Sequence, residues 1–183
     1  IERKSGFAER IEQMSDDELP DGTVTEYKIV GYFEDDGNHE KCKRNIAETL
    51  KQHPDLGCIV GLNAMHGPLL MEKLEELGKL GQVKLVTFDA DDATLDGIEQ
   101  GYIYATIAQD PYKYGLEAVS TLVKLCQGEG TDLPIVGRGS TYLPVEAIRQ
   151  DNLQRFRDAM RGREKAAGGK AEEKAESAQK PAA

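Results

Sequence analysis

Side chains able to do chemistry gather where four apolar runs give way to polar residues: at Asp35-Asp36, Asn63, Asp89 and Gln109. Each place follows a stretch that reads as a strand, and in open parallel α/β sheets ligands bind beyond the carboxyl ends of the strands, where helix N-termini also point their free N–H groups. The four ends carry carboxylates and amides, with no nucleophile and no Cys/His pair. Carboxylates accept hydrogen bonds and amides both donate and accept, which suits a polyhydroxylated ligand. Asp and Asn also favour turns and helix N-caps for purely local reasons. Any one of the four is therefore explained by capping alone; the set of four argues for a ligand.

The elements that must position these residues alternate between strand and helix patterns, the signature of βαβ units and a parallel sheet. Residues 3–18 carry Phe7, Ile11 and Met14 at helical spacing, and Pro20-Asp21-Gly22 follows with turn chemistry. Tyr27 to Phe33 is β-branched and aromatic and predicts a strand. A helix follows Asp35-Asp36-Gly37-Asn38 and runs to about Gln52, with Cys42, Ile46 and Leu50 on one face and His53-Pro54-Asp55 to stop it. Cys58 to Leu62 predicts a short strand, and Leu69, Leu70, Leu74 and Leu77 a helix closed by Gly78. Val83 to Phe88 is the next strand, 91–100 a short acidic helix, Tyr102 to Ala108 another strand, and Pro111 opens a helix carrying Leu116, Val119, Val123 and Cys126. Leu133 to Ile148 reads as irregular or extended.

Composition narrows the function classes. The 183 residues hold 23 Lys and Arg against 33 Asp and Glu, a formal charge of −10, which argues against a sequence-blind grip on nucleic acid or an anionic membrane. Residues 164–183 contain no Val, Ile, Leu or aromatic residue and balance four acids with four lysines, so they cannot bury a core and the whole charge belongs to 1–163. Cys42, Cys58 and Cys126 stand far apart with no C-x-x-C, which predicts neither a metal site nor a disulfide framework, and Cys58 reads as a small hydrophobe inside its strand. No apolar run reaches the roughly 18–20 residues that cross a bilayer. The chain opens on Ile1 rather than Met, with no cap before the first periodic run, which predicts a cut at that end with any signal peptide upstream.

Residues 53–115, from "HPDLGCIVGLNAMHGP" through "VKLVTFDADDATLDGIEQGYIYATIAQDPYKYG", resemble the C-terminal part of type I periplasmic sugar-binding proteins, the ribose-type solute receptors of ABC importers. The opening "ERKSGF" (2–7) is similar to the E-R-x-x-G-F helix start of that family, and the likeness extends with gaps over about 1–150. It implies an α/β, three-layer parallel-sheet sandwich lacking its N-terminal lobe. Residues 1–109 would form most of the ligand-binding lobe, 110–163 a crossover segment that packs on the missing lobe, supplied by the same or another chain, and 164–183 a disordered tail. The helix at 111–127 should then expose an apolar face if the chain stands alone.

By the same resemblance Arg3 matches the arginine that donates to sugar hydroxyls, Asn63 the asparagine after its strand, Asp89 the ligand carboxylate after a strand ending in Phe-Asp, and Gln109 the glutamine beside the crossover. Asp35 and Asp36 fall where the family places another contact, on a looser alignment, and His66 is a further candidate for the cleft. Tyr32 and Phe33 offer aromatic faces for a sugar, with core packing the competing use. The departure from the family is at Asn63, which is followed by Ala64 and then His66-Gly67-Pro68 instead of N-D-x-x-A, a pattern closer to "GLxAxxGP" receptors than to repressors. The expected function is a periplasmic or extracytoplasmic, non-catalytic sugar-binding component working with an ABC permease, without metal or cofactor. The alternative is the effector-sensing core of a lactose-repressor-like regulator or membrane sensor. A phosphoacceptor receiver domain would need a Lys where Gln109 stands, and a hydrolase or transferase would need G-x-S-x-G or a phosphate loop, which "GRGST" (137–141) does not supply.

Overall fold

The computed structural model describes residues 2–14, 27–128 and 143–163, and the chain divides into two compact units, 1–88 and 89–183. The expected turn at 20–22, most of 133–148 and the tail at 164–183 lie outside the described residues.

The first unit contains helix α1 (Glu2–Met14), helix α2 (His39–Gln52), strand β1 (Cys58–Val60), helix α3 (His66–Glu76) and strand β2 (Lys84–Phe88). β1 and β2 are parallel, with Cys58 opposite Lys84 and Val60 opposite Val86. α2 begins where Asn38 accepts a hydrogen bond from the Lys41 N–H at 2.9 Å, satisfying one of the free donors of the first turn. Its Cys42, Ile46 and Leu50 recur every fourth residue, so they share one face; that face is buried, as are Leu69, Leu70 and Leu74 of α3 and Val83, Leu85 and Thr87 of the β2 segment. α2 packs on α3 and α3 on β2, which makes this one continuous core.

The second unit contains helix α4 (Asp92–Glu99), strand β3 (Ala105–Ala108), helix α5 (Pro111–Cys126) and strand β4 (Glu146–Ile148), followed by a helical stretch at 153–163. Leu95 and Ile98 of α4, Ile103, Ala105, Ala108, Ile148 and Leu153 are buried. β4 runs antiparallel to β3, pairing Ile107 with Ala147, within a segment whose sequence predicts only extended or irregular chain. Three residues are too few to show alternation, and an apolar run this short carries no direction. The α/β class read from the sequence holds, with a mixed rather than purely parallel set of strands.

Three local expectations are corrected. Tyr27 to Phe33 forms no strand: residues 27–35 have no regular secondary structure, and Tyr27, Val30, Tyr32 and Phe33 are exposed. β-propensity describes fitness for a half-buried pleated surface, and a strand needs a neighbouring ladder that propensity does not provide. Tyr32 and Phe33 therefore do not pack in a core. Cys58 is exposed at the first position of β1, where a three-residue strand offers little cover.

Candidate functional site

In the first unit the ladder continues one residue past β1, because the Gly61 N–H donates to Val86 O at 2.9 Å. The next carbonyl, Leu62 O, accepts a 2.8 Å hydrogen bond from Arg3 Nη1. The Arg3 guanidinium carbon also lies 4.6 Å from the ring centroid of Phe88, the last residue of β2. A stacked guanidinium is attracted by the ring quadrupole, by about 0.5–2 kcal/mol depending on exposure. Arg3 is thus held at the carboxyl ends of both strands, one residue from Asn63, whose side chain is exposed there. A shallow depression of about 450 Å³ opens at this place, lined by Glu2, Arg3, Lys4 and Leu62. Lys4 Nζ lies 4.5 Å from the ring centroid of Tyr32, so an aromatic ring from the 27–35 segment stands over the start of α1.

Asp35 and His66 meet each other. Asp36 and Gly37 have φ of 55° and 70°, and the Asn38 N–H closes the turn onto Asp35 O at 2.9 Å. Asp-Gly is the dipeptide that tolerates two successive left-handed residues. The turn directs the Asp35 carboxylate inward, where Oδ1 accepts from the Gly37 N–H at 2.9 Å and Oδ2 lies 2.7 Å from His66 Nε2. The Cys42 thiol lies within 4.8 Å of this carboxylate. Burial would raise the Asp35 carboxyl, but Gly37, His66 and Cys42 together hold it below the usual carboxylate range. Burial, reinforced by the Asp35 charge, pushes the Cys42 thiol up to about 11. Asp36 instead turns outward, with an exposed side chain paired to Lys41 Nζ.

The grouping of Asp35, Cys42 and His66, whose donor atoms all lie within 4.8 Å of one another, is invisible in the sequence, where Cys42 is one more apolar residue on the face of α2. Spacing within α2 gave no hint of it, because His66 is 31 residues from Asp35. The trio is not arranged as a nucleophile and its base. The nitrogen of His66 that could accept a proton, Nδ1, faces the Asn63 N–H at 3.2 Å, and the thiol is far from its reactive thiolate form at neutral pH.

In the second unit Asp89 adopts φ of 67°, a left-handed conformation that is uncommon outside glycine and least costly for Asp and Asn. Both of its backbone polar groups are tied to β3: its N–H donates to Ile107 O at 2.9 Å and its C=O accepts from Thr106 Oγ1 at 2.6 Å. The Asp89 side chain is therefore aimed by a fixed backbone. Gln109, half-buried, follows β3 directly, so Asp89 and Gln109 belong to the same end of that strand. The other carboxylates nearby are capping groups. Asp91 accepts from the Thr94 N–H at 3.0 Å and the Thr94 hydroxyl at 2.8 Å at the start of α4. Asp110 accepts from the Lys113 N–H at 3.2 Å and takes both oxygens to Arg163 Nη1 at 3.0 Å. Burial would raise the Asp110 carboxyl, but these partners hold it low.

Of the seven candidates, the first unit thus brings Arg3 next to Asn63 and joins Asp35 to His66, while the second places Asp89 and Gln109 on one strand end. Asp36 faces its own lysine. Each unit thus ends strands in hydrogen-bonding groups, a guanidinium and an amide in the first and a carboxylate and an amide in the second.

The chain belongs to a known family: the model of the periplasmic binding protein domain matches residues 1–130. Among solved structures, it is similar to an arabinose binding protein from Geobacillus stearothermophilus at 28% identity and a TM-score of 0.66, covering 85% of this chain and 51% of that one. A glucose-galactose binding protein from the same organism matches at 24% identity and a TM-score of 0.57, covering 66% and 41%. An ABC transporter solute binding protein from Agrobacterium vitis, with bound D-fucose, matches at 20% identity and a TM-score of 0.64, covering 82% and 47%. The last two likenesses show the fold. The chain spans about half the length of these relatives. No curated protein matches the sequence. Among the described residues no helix is long and apolar enough to cross a membrane.

Proposed function

We propose that this chain is part of an extracytoplasmic solute-binding protein that takes a monosaccharide or similar polyol without catalysis and delivers it to an ABC permease. The observation that carries the reading is the Arg3 guanidinium, held by Leu62 O and Phe88 beside the exposed Asn63 side chain at the ends of β1 and β2, where open α/β sheets bind their ligands. The arabinose-binding and fucose-bound relatives support the sugar class.

An uncharged sugar offers hydroxyls that donate and accept, so recognition depends on bidentate acceptors and fixed donors. In this proposal Asp89 accepts from hydroxyls, Arg3 donates to them, and Asn63 and Gln109 do both. Discrimination follows because a missing or inverted hydroxyl leaves a desolvated partner unpaired. Asp35 and Asp36 contribute less directly, since each is engaged within the protein. The exposed apolar face of α5 supports a further part of the proposal, that residues 110–163 pack on a lobe beyond this chain. The regulator alternative has no observation of its own in its favour.

Calorimetry of the full-length receptor against a sugar panel tests the reading. Binding of one sugar is expected, weakened by about 2 kcal/mol or more in Asp89→Asn and Arg3→Ala, as loss of one partner from a charged hydrogen bond requires. No heat from any sugar, together with binding of an amino acid or a purine, would overturn the sugar class and leave the fold untouched.

A further inference from the structure

The Asp35, Cys42 and His66 donors lie as close together as the ligands of a metal site, and a thiolate, an imidazole and a carboxylate are an acceptable set for zinc. The hydrogen bonds around His66 argue otherwise. A backbone N–H can only donate, so the 3.2 Å bond from the Asn63 N–H makes Nδ1 an acceptor, and the proton of the neutral ring resides on Nε2, pointing at Asp35. A metal on Nε2 would move that proton to Nδ1, where it would meet the Asn63 N–H head on. Ligating histidines normally present their second nitrogen to an acceptor, and here it meets a donor.

We infer that His66 is a positioning residue that ties two turns together, the one at 35–38 and the one at 63–66, and so sets the direction of Asn63. The inference deepens the proposed sugar-binding reading and rests on it for its consequence in binding. Three independent contacts fix the ring. Nδ1 holds the backbone of Asn63, Nε2 holds Asp35, and the base of the side chain lies against Gly61. A Cβ built on Gly61 would stand 2.5 Å from His66 Cβ, nearer than real carbon atoms approach, so glycine at the end of β1 is what leaves room for His66. The His66 N–H also donates to Asn63 O at 3.0 Å, so residue 66 holds both backbone polar groups of Asn63. Asp35 in turn accepts from Gly37 and has the Cys42 thiol of α2 within 4.8 Å, which anchors the far side of the tie to the turn that opens α2. Asn63 is therefore positioned by a chain of bonds reaching to α2, while its own side chain stays exposed.

The test has one arm that needs no sugar. Nitrogen-15 NMR of the histidine rings in the unmodified chain should show His66 with its proton on Nε2, and amide exchange should show Asn63 and Gly37 protected. In His66→Phe both amides should lose that protection. The second arm measures affinity in the full-length receptor for arabinose, glucose, galactose, fucose and tagatose. His66→Phe should weaken the sugar that binds by roughly tenfold to a hundredfold, the range for removing one partner from a desolvated pair. His66→Gln, which keeps a donor at the Nε2 position, and His66→Asn, which keeps an acceptor at the Nδ1 position, should each recover part of the loss. A ring proton on Nδ1, stoichiometric zinc binding that consumes the Cys42 thiol, or a Phe variant that binds as tightly as the unmodified receptor would each overturn the inference. Absence of sugar binding with the expected ring proton and amide protection would sink the sugar reading alone.

Discussion

Helices α2 and α5 carry the same kind of stripe and meet opposite fates. In α2, Cys42, Ile46 and Leu50 recur at four-residue spacing and all are buried. In α5, Leu116, Val119 and Val123 recur at three and four, with Leu122 and Leu125 beside them, and no residue of the helix is buried; Val119 is 60% exposed. α2 rests on α3, where Leu69, Leu70 and Leu74 are also buried, while the apolar residues of α5 are exposed. An amphipathic pattern names the face that gains from being covered and says nothing about whether this chain supplies the cover. In the proposal above, this exposed stripe is the surface that packs on a lobe beyond the chain.

The largest effects should come from the covered stripe. Ile46→Ala or Leu50→Ala should lower unfolding stability by about 2–5 kcal/mol, because each leaves a cavity in a closed core. Val119→Ala or Leu116→Ala should cost under about 0.5 kcal/mol in the same chain, the usual size for an exposed position. Urea titrations followed by circular dichroism distinguish the two, and a loss at Val119 equal to that at Ile46 would show that α5 is covered in solution.

The helix starts should differ less. Asn38→Ala removes the 2.9 Å cap of α2 and should cost about 1 kcal/mol in the same assay. Asp110→Ala removes both the cap of α5 and the Arg163 pair, and because Arg163 is half exposed while the carboxylate is mostly covered, the pair should add at most about 1 kcal/mol to the cap. A much larger loss at Asp110 than at Asn38 would mean that the start of α5 is better anchored than its exposed face suggests.

The smallest effect is in the response to acid. Asp35, beside the start of α2, and Asp110, at the start of α5, both have carboxyls held below their ordinary value despite burial acting the other way. A carboxyl depressed in the folded state stabilises above its unfolded value of about 4, and that contribution is lost as pH falls through the folded value. Asp35→Asn should therefore be less stable than the parent at pH 6, with the gap narrowing below about pH 4 as the parent's carboxylate is protonated. Urea midpoints at pH 6, 4 and 3 measure this, and a gap that stays constant would show that the Asp35 charge contributes nothing.

Much of the fold was legible because it rests on local spacing. The apolar residues of α2, α3 and β2, the Asp-Gly turn at 36–37 and the polar residues Asp89 and Gln109 directly after β2 and β3 follow from periodicity and turn chemistry, and the structure places them accordingly, whereas Asp35 and Asp36 follow no strand. Arg3, which the resemblance gives as a donor to sugar hydroxyls, lies in the structure at the ends of β1 and β2, a placement that no local spacing contains. The strand expected at 27–33 failed because its aromatic and β-branched residues have propensity but no ladder. Asp91 and Asp110, also near strand ends, are caps, a distinction that residue type alone does not make.

Residue order by itself determined which faces are apolar, where helices start and stop, and that polar hydrogen-bonding groups follow the strands. Each of these depends on neighbours within about four positions, so no knowledge of packing is needed. Only the tertiary structure decided that Asp35 and His66, 31 residues apart, are spent on each other, that the Cys42 thiol joins them, and that α5 keeps its stripe exposed. Those outcomes depend on the depth at which α2 and α3 pack and on the room left by Gly61, distances of a few ångströms that no one-dimensional pattern contains.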